Sequence, residues 1–193
     1  MVDDAVAWVR AQRGPMEALL RALVEESSYT LDPRGVDAAG AVLREAVPLS
    51  CRAVKGERYG SHLFFEGRRP GGDGGVVLVG HHDTVFPREV FAGYRSEGDV
   101  AWGPGVLDMK GGLVVMAFAL RALEALGVPL KGDVELAVLP LGHIFERIVA
   151  YTLTAGGDIT DIQVLQSPAN AGAFVESARS ALLQWHYAEQ VAS

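Results

Sequence analysis

The sequence predicts an α/β fold, a doubly wound and mainly parallel sheet flanked by helices, with a β-β-α extension at its carboxyl end. Three observations carry this expectation. Val76–Gly80 is an unbroken apolar, largely β-branched run, the composition of a strand buried on both faces of a parallel sheet. Gly111–Leu126 has helical apolar spacing and Asp133–Leu139 is again strand-like, so strand, helix and strand follow one another as a βαβ unit. In such units the functional site gathers at the carboxyl ends of the strands.

The remaining elements follow in order. Between Asp3 and Glu26 the residues Val6, Val9, Met16, Leu19, Leu20, Leu23 and Val24 recur at helical spacing, which predicts a short helix and a longer one separated around Gly14-Pro15. After Asp32-Pro33 the pattern resumes over Val36–Val47 with Ala39, Val42, Leu43 and Ala46 inward. Ser50–Glu66 alternates with a break at Tyr59-Gly60, as in a pair of strands, and Arg68–Gly75 is a Gly/Pro-rich turn. Phe86–Gly98 reads as a loop. The helix from Gly111 is expected to bury Val115, Met116, Ala119, Leu123 and Leu126, with Gly127 at its C-cap. Beyond Pro140, Glu146–Thr154 and Ile159–Ser167 read as two strands around the turn Ala155–Asp158, followed by a helix over Ala171–Trp185. Two regions are therefore expected, residues 1–140 and residues 141–193.

Composition narrows the function classes. The chain has 193 residues, 49% apolar and 21% charged, the balance of a packed globular protein. A formal net charge of −7 with scattered Lys and Arg argues against a nucleic-acid partner. Cys51 is the one cysteine, so neither an internal disulfide nor a thiolate cluster can form, and any metal must sit on His, Asp or Glu. Met1–Arg10 carries Asp3 and Asp4 and lacks the apolar core of a secretory signal, which predicts a cytoplasmic protein. The longest apolar stretch, Leu113–Leu120, falls far short of the ~20 residues that span a membrane.

Two segments carry candidate chemistry. In Gly80-His81-His82-Asp83-Thr84-Val85 strand alternation puts His81 and Asp83 on one side and His82 on the other. A metal-bound imidazole usually gives its second ring N–H to a carboxylate, and Asp83 is placed for that; the alternative is a polar strand end satisfying backbone groups. Asp108, after Gly103-Pro104-Gly105 and just before a helix, reads either as a metal ligand at the same end of the sheet or as an ordinary N-cap.

Gly80–Val85 together with Gly103-Pro104-Gly105-Val106-Leu107-Asp108-Met109-Lys110-Gly111-Gly112 resembles the M20 family of co-catalytic zinc peptidases and amidohydrolases, nearest to its glutamate carboxypeptidase branch. The likeness runs over about residues 10–140, from Leu19–Ser28 to the strand Val134–Pro140. It implies that His81 is a ligand of one zinc, that Asp83 orients it, that Asp108 bridges two zincs and that the peptide bond after Asp108 is cis. It also implies hydrolysis of a small peptide or an N-acyl amino acid. The chain departs from the pattern after Pro140: where the family has a Glu-Glu pair, here stands Leu141-Gly142-His143-Ile144-Phe145-Glu146. Glu146, with His143, is the nearest substitute for the general base, and the family's later acidic and His ligands have no counterparts. A site with one zinc or none is therefore expected sooner than a working pair. The tail, with Gly157–Leu165 and Ala178–Tyr187, resembles the carboxy-terminal domain of TonB-type energy transducers without its last strand. The alternative to an enzyme is a truncated or fused protein whose tail binds a protein partner by strand addition, the unfinished sheet leaving an open edge for that partner or for a second copy. His62, His186 and Trp102 read as packing residues.

Overall fold

The computed structural model describes residues 2–140 apart from 57, 71, 73, 91 and 92, together with the backbone of two strands in the tail. The chain divides into two units, residues 1–141 and 142–193.

In the first unit the opening pattern forms helix α1, Val2–Ala11, and helix α2, Arg13–Glu25. The break falls at Gln12 rather than at Gly14-Pro15, because proline is tolerated in a first helical turn, where its missing N–H has no intrahelical partner anyway. Helix α3, Pro33–Ala46, starts where the Asp32 side chain accepts the Arg34 N–H and Pro33 occupies the first turn. Strands β1, Ser50–Val54, and β2, His62–Gly67, are antiparallel neighbours. Strand β3, Gly75–Gly80, leads into the site. The stretch read as a loop contains a short hairpin, β4 at Arg95–Glu97 and β5 at Val100–Trp102. Its ends are held by the Arg95 guanidinium, 4.5 Å from the Trp102 ring centre, and by Tyr94 and Ser96, whose hydroxyls donate to Glu17 of α2 at 3.2 and 2.9 Å. Helix α4, Gly111–Ala125, and strand β6, Asp133–Val138, complete the unit.

The sheet order is β1-β2-β6-β3. Strands β3 and β6 are parallel, as the βαβ reading requires, while β2 pairs antiparallel with both β1 and β6. The fold is thus α/β with a mixed sheet. Its core lies where α2, α3 and α4 meet one sheet face, around Leu23, Leu43, Leu63, Phe65, Leu113, Phe118, Leu136 and Val138.

Two expectations about burial are corrected. Strand β3 is not enclosed: it sits at the edge of the sheet, and Val77 and Val79 are 65% and 54% exposed, since among the described residues no layer covers the face opposite the core. Helix α4 buries Leu113, Val114, Ala117, Phe118, Leu120 and Ala122, whereas Val115 is 58% exposed. Nearly every position of α4 is apolar, so periodicity alone cannot say which side meets the sheet.

The tail hairpin is present as β7, Val149–Leu153, antiparallel to β8, Ile159–Val164, with a register shift between Ala150 and Thr152. The helix expected over Ala171–Trp185 lies outside the described residues, as do His143, Glu146 and His186.

The corrected face of α4 has a direct test. Leu113→Ala should cost about 2–5 kcal/mol by urea unfolding, as for a fully buried leucine, while Val115→Ala should cost under about 1 kcal/mol. Equal losses would contradict the packing described.

Candidate metal centre

Strand β3 ends at Gly80, and the chain turns at once into His81-His82-Asp83 at the carboxyl end of the sheet. At Gly80 the chain passes close to α4, and a Cβ there would come within 2.8 Å of the Leu113 Cδ2 and 3.0 Å of the Met109 Cε, so both side-chain ends would have to shift. The turn after Gly80 runs beside the segment at residues 28–30. Thr84 N–H donates to Ser28 O at 2.8 Å and Thr30 N–H donates to Thr84 O at 2.9 Å, a parallel bridge outside the main sheet.

Asp108 arrives by a separate route. Gly105 takes φ +79°, in the left-handed region, and a side chain there would press on Thr84 and Lys110 at 3.0 and 3.1 Å. The turn Val106–Lys110 then contains a cis peptide bond between Asp108 and Met109, as the family resemblance implies. Lys110, not Asp108, is the N-cap of α4, and no side chain caps that helix. The capping alternative for Asp108 is thereby excluded.

The two segments converge. His81 Nε2 and Asp108 Oδ1 are 3.0 Å apart. The other ring nitrogen, Nδ1, lies 3.1 Å from the Asp83 backbone oxygen and 3.4 Å from Asp83 Oδ1. His81 and Asp83 are buried, while the Asp108 side chain is 73% exposed. Burial opposes protonation of His81, but hydrogen bonds and charge from Asp83 and Asp108 outweigh it and hold its pKa above the ordinary value.

Two residues without a role in the sequence reading support this pair. Thr30 Oγ1 donates to Asp83 Oδ2 at 2.7 Å and lies 3.1 Å from Thr84 O. Lys110 is fully buried, and its ammonium donates to Leu23 O at 2.7 Å and Glu26 O at 3.1 Å. That side chain ties the carboxyl end of α2 to the turn bearing Asp108. Desolvation lowers its pKa to about 8, with the charges of Glu26 and Asp83 opposing the shift. Lys110 was visible in the motif as a residue; Thr30 had no signal beyond lying in a polar loop.

An imidazole nitrogen and a carboxylate oxygen aimed at one point are donors that zinc takes. Among the described residues no group of three or more His, Cys, Asp or Glu side chains could hold a metal, so the donor types fit zinc while the donor number is two. Catalytic zinc sites have three protein ligands.

Residues 77–140 match the model of Peptidase family M20/M25/M40. Carboxypeptidase G2 of Pseudomonas sp. (strain RS-16) is 33% identical over 116 residues, 56% of this chain and 28% of that protein. Succinyl-diaminopimelate desuccinylase of Gluconobacter oxydans (strain 621H) is 35% identical over 104 residues, 49% of this chain and 27% of that protein. The chain therefore spans little more than a quarter of the length of these relatives. Human carnosine dipeptidase 1 superposes with a TM-score of 0.60 at 17% identity, covering 73% of this chain and 35% of that one. An M20 family metallo-carboxypeptidase from Sulfolobus solfataricus superposes with a TM-score of 0.56, also at 17% identity, covering 68% and 31%. These structures share the fold. No helix among the described residues is long and apolar enough to cross a membrane.

The support given to Asp83 is measurable. Thr30→Val removes the donor to a buried carboxylate and should cost about 1–3 kcal/mol in chemical unfolding, with Thr30→Ser restoring most of it. A neutral Thr30→Val would show that the hydroxyl contributes nothing.

Proposed function

We propose that this chain carries the metal-binding half of an M20-type hydrolase of amide or peptide bonds, with an incomplete catalytic set. The observation that supports this most is the convergence of His81 Nε2 and Asp108 Oδ1 from two separate loops at 3.0 Å, within a stretch that matches a peptidase family model. In this reading His81 and Asp108 hold one zinc ion, and Asp83 fixes the ring by drawing Nδ1–H toward itself. Zinc would supply Lewis-acid polarisation of the scissile carbonyl. Hydrolysis also needs a base to take a proton from water, and Glu146 is the first carboxylate in the chain after β6. Substrates are small peptides or N-acyl amino acids, as the names of the relatives suggest, and the missing Glu-Glu pair predicts slow turnover or none.

A second reading is favoured by one observation. Strand β3 is an uncharged edge strand with exposed valines, and edges of that kind are normally blocked by charge or proline. The chain would then serve as a non-catalytic binding protein that accepts a partner strand or another copy of itself there.

Zinc retained after dialysis, measured by elemental mass spectrometry, tests the first reading. Wild type should hold one ion, His81→Ala and Asp108→Ala should each lose it, and Asp83→Asn should weaken binding about 10–100-fold. Retention unchanged in His81→Ala would end the metal-site proposal. Any turnover of an N-acyl glutamate should fall by about 10²–10⁴ in Glu146→Gln if that carboxylate is the base.

A further inference from the structure

Strand β3 leaves a defined set of backbone groups along its open edge. Asp133 N–H donates to Gly74 O at 3.2 Å and Leu139 N–H donates to Gly80 O at 2.9 Å. In a parallel pair, alternate residues send both polar groups to the same neighbour, so the even-numbered residues of β3 direct theirs to β6 while Gly75, Val77 and Val79 direct theirs away from it. Among the described residues no strand lies along that side. Three N–H and three C=O groups therefore form a row, on a strand without the charge or the proline that ordinarily blocks strand addition. The other margin of the sheet differs. There β1 carries Arg52, whose guanidinium lies 4.5 Å from the Phe64 ring centre and 3.5 Å from Glu66.

We propose that the β3 edge is a homodimer interface, in which two copies of the chain pair β3 antiparallel about a two-fold axis through Val77. This rests on the second reading above, that β3 is open to an added strand, and names the occupant. In this register Gly75 stands opposite Val79 of the second copy and Val77 stands opposite itself, so every edge-directed group is matched. Moving the axis by one residue either way leaves one of the three without a strand residue opposite it. Side chains agree with the register. On the core-side face Val76, 55% exposed, comes to lie opposite Leu78 of the second copy; on the other face the two Val77 side chains meet, and Gly75 leaves room beside Val79. Charge favours a second copy as well. An edge with no charged side chain gives a charged strand nothing to pair with, and two copies of it set no like charges against each other although each chain carries a net −7. Symmetry then closes the assembly, because β3 on β3 uses up both open edges, whereas β3 on β1 would build an open-ended chain, and Arg52 guards β1 against that. The product is one continuous sheet, β1-β2-β6-β3 joined to the same order reversed.

Sedimentation of the full chain over a range of concentrations should show a monomer–dimer equilibrium with a Kd of about 1–100 μM and no larger species. Amide hydrogen exchange, read residue by residue, should slow at Gly75, Val77 and Val79 as the dimer forms. Val77→Lys sets two ammonium groups opposite each other and should weaken the dimer at least about tenfold, while Val54→Lys on β1 should leave it unchanged. In a Cys51→Ser background, Val77→Cys should link two copies through residue 77 under mild oxidation, since Cα atoms in such a pair stand about 5.5 Å apart. That measurement covers the case in which Val77→Lys fails to fold. The proposal is overturned by a dimer that keeps full affinity in Val77→Lys, by one that Val54→Lys weakens equally, by oligomers larger than two, or by absence of the cross-link. A monomer at every concentration overturns it too, and the exchange rates then judge the reading beneath it: fast exchange at the three amides leaves the edge open to a different strand, whereas slow exchange shows it filled within one chain and ends that reading as well.

Discussion

A carboxylate with no access to water must be surrounded by donors and positive charge or it will not stay ionised, and Asp83 is such a group. Much of the local architecture can be traced to that requirement. Thr30 is drawn in to donate to one oxygen while the His81 ring lies beside the other. Binding Thr30 fixes the bridge between residue 29 and residue 84, which carries the carboxyl end of α2 past the end of β3. Lys110 then finds two carbonyls there, Leu23 O and Glu26 O, and its charge also acts on Asp83. One buried acid therefore organises four chain segments around the end of a strand.

Adjacent histidines show how little of an environment sequence proximity sets. His81 and His82 share a backbone, yet alternation sends one ring toward Asp83 and Asp108 and the other against Gly40 and Leu63. The first is surrounded by negative charge and its pKa rises; the second is desolvated with no strong partner and its pKa falls. Only the neutral form of an imidazole can offer a lone pair to a metal, so in the proposed zinc site a cation between the ring and Asp108 would compete with a proton for the same nitrogen. The carboxylates that favour the proton would favour such a cation too.

The parts legible in the sequence were those that depend on local pattern. The βαβ order and the same-sided placement of His81 and Asp83 follow from periods of 3.6 and 2. The convergence of His81 with Asp108 was legible from the family resemblance rather than from spacing. What escaped depends on contacts distant in sequence. The buried side of α4 is chosen by the sheet it meets, because Val115 and Val114 are equally apolar. Thr30 acts through Asp83, 53 positions away. The β4–β5 hairpin has only three residues per strand and owes its place to Glu17 and to stacking on Trp102, neither of which leaves an alternating pattern.

The edge position of β3 and the two-donor site have a common cause. Strand β3 carries apolar side chains on both faces, a composition that suits a strand flanked on each side and covered above and below, yet among the described residues one edge is unpaired and Val77 and Val79 face outward. The site at the end of that same strand presents donors from β3 and from the α4 turn, and from no third direction among the described residues. Strand-end sites in α/β sheets are assembled from loops of several neighbouring strands, so a sheet lacking a neighbour beside β3 is also short of the loop that such a neighbour would bring. If His81 and Asp108 hold a metal as proposed, a strand paired beside β3 would be positioned to bring a third ligand, whereas Val77 and Val79, which project from the sheet face, would need a layer packed on that face to cover them.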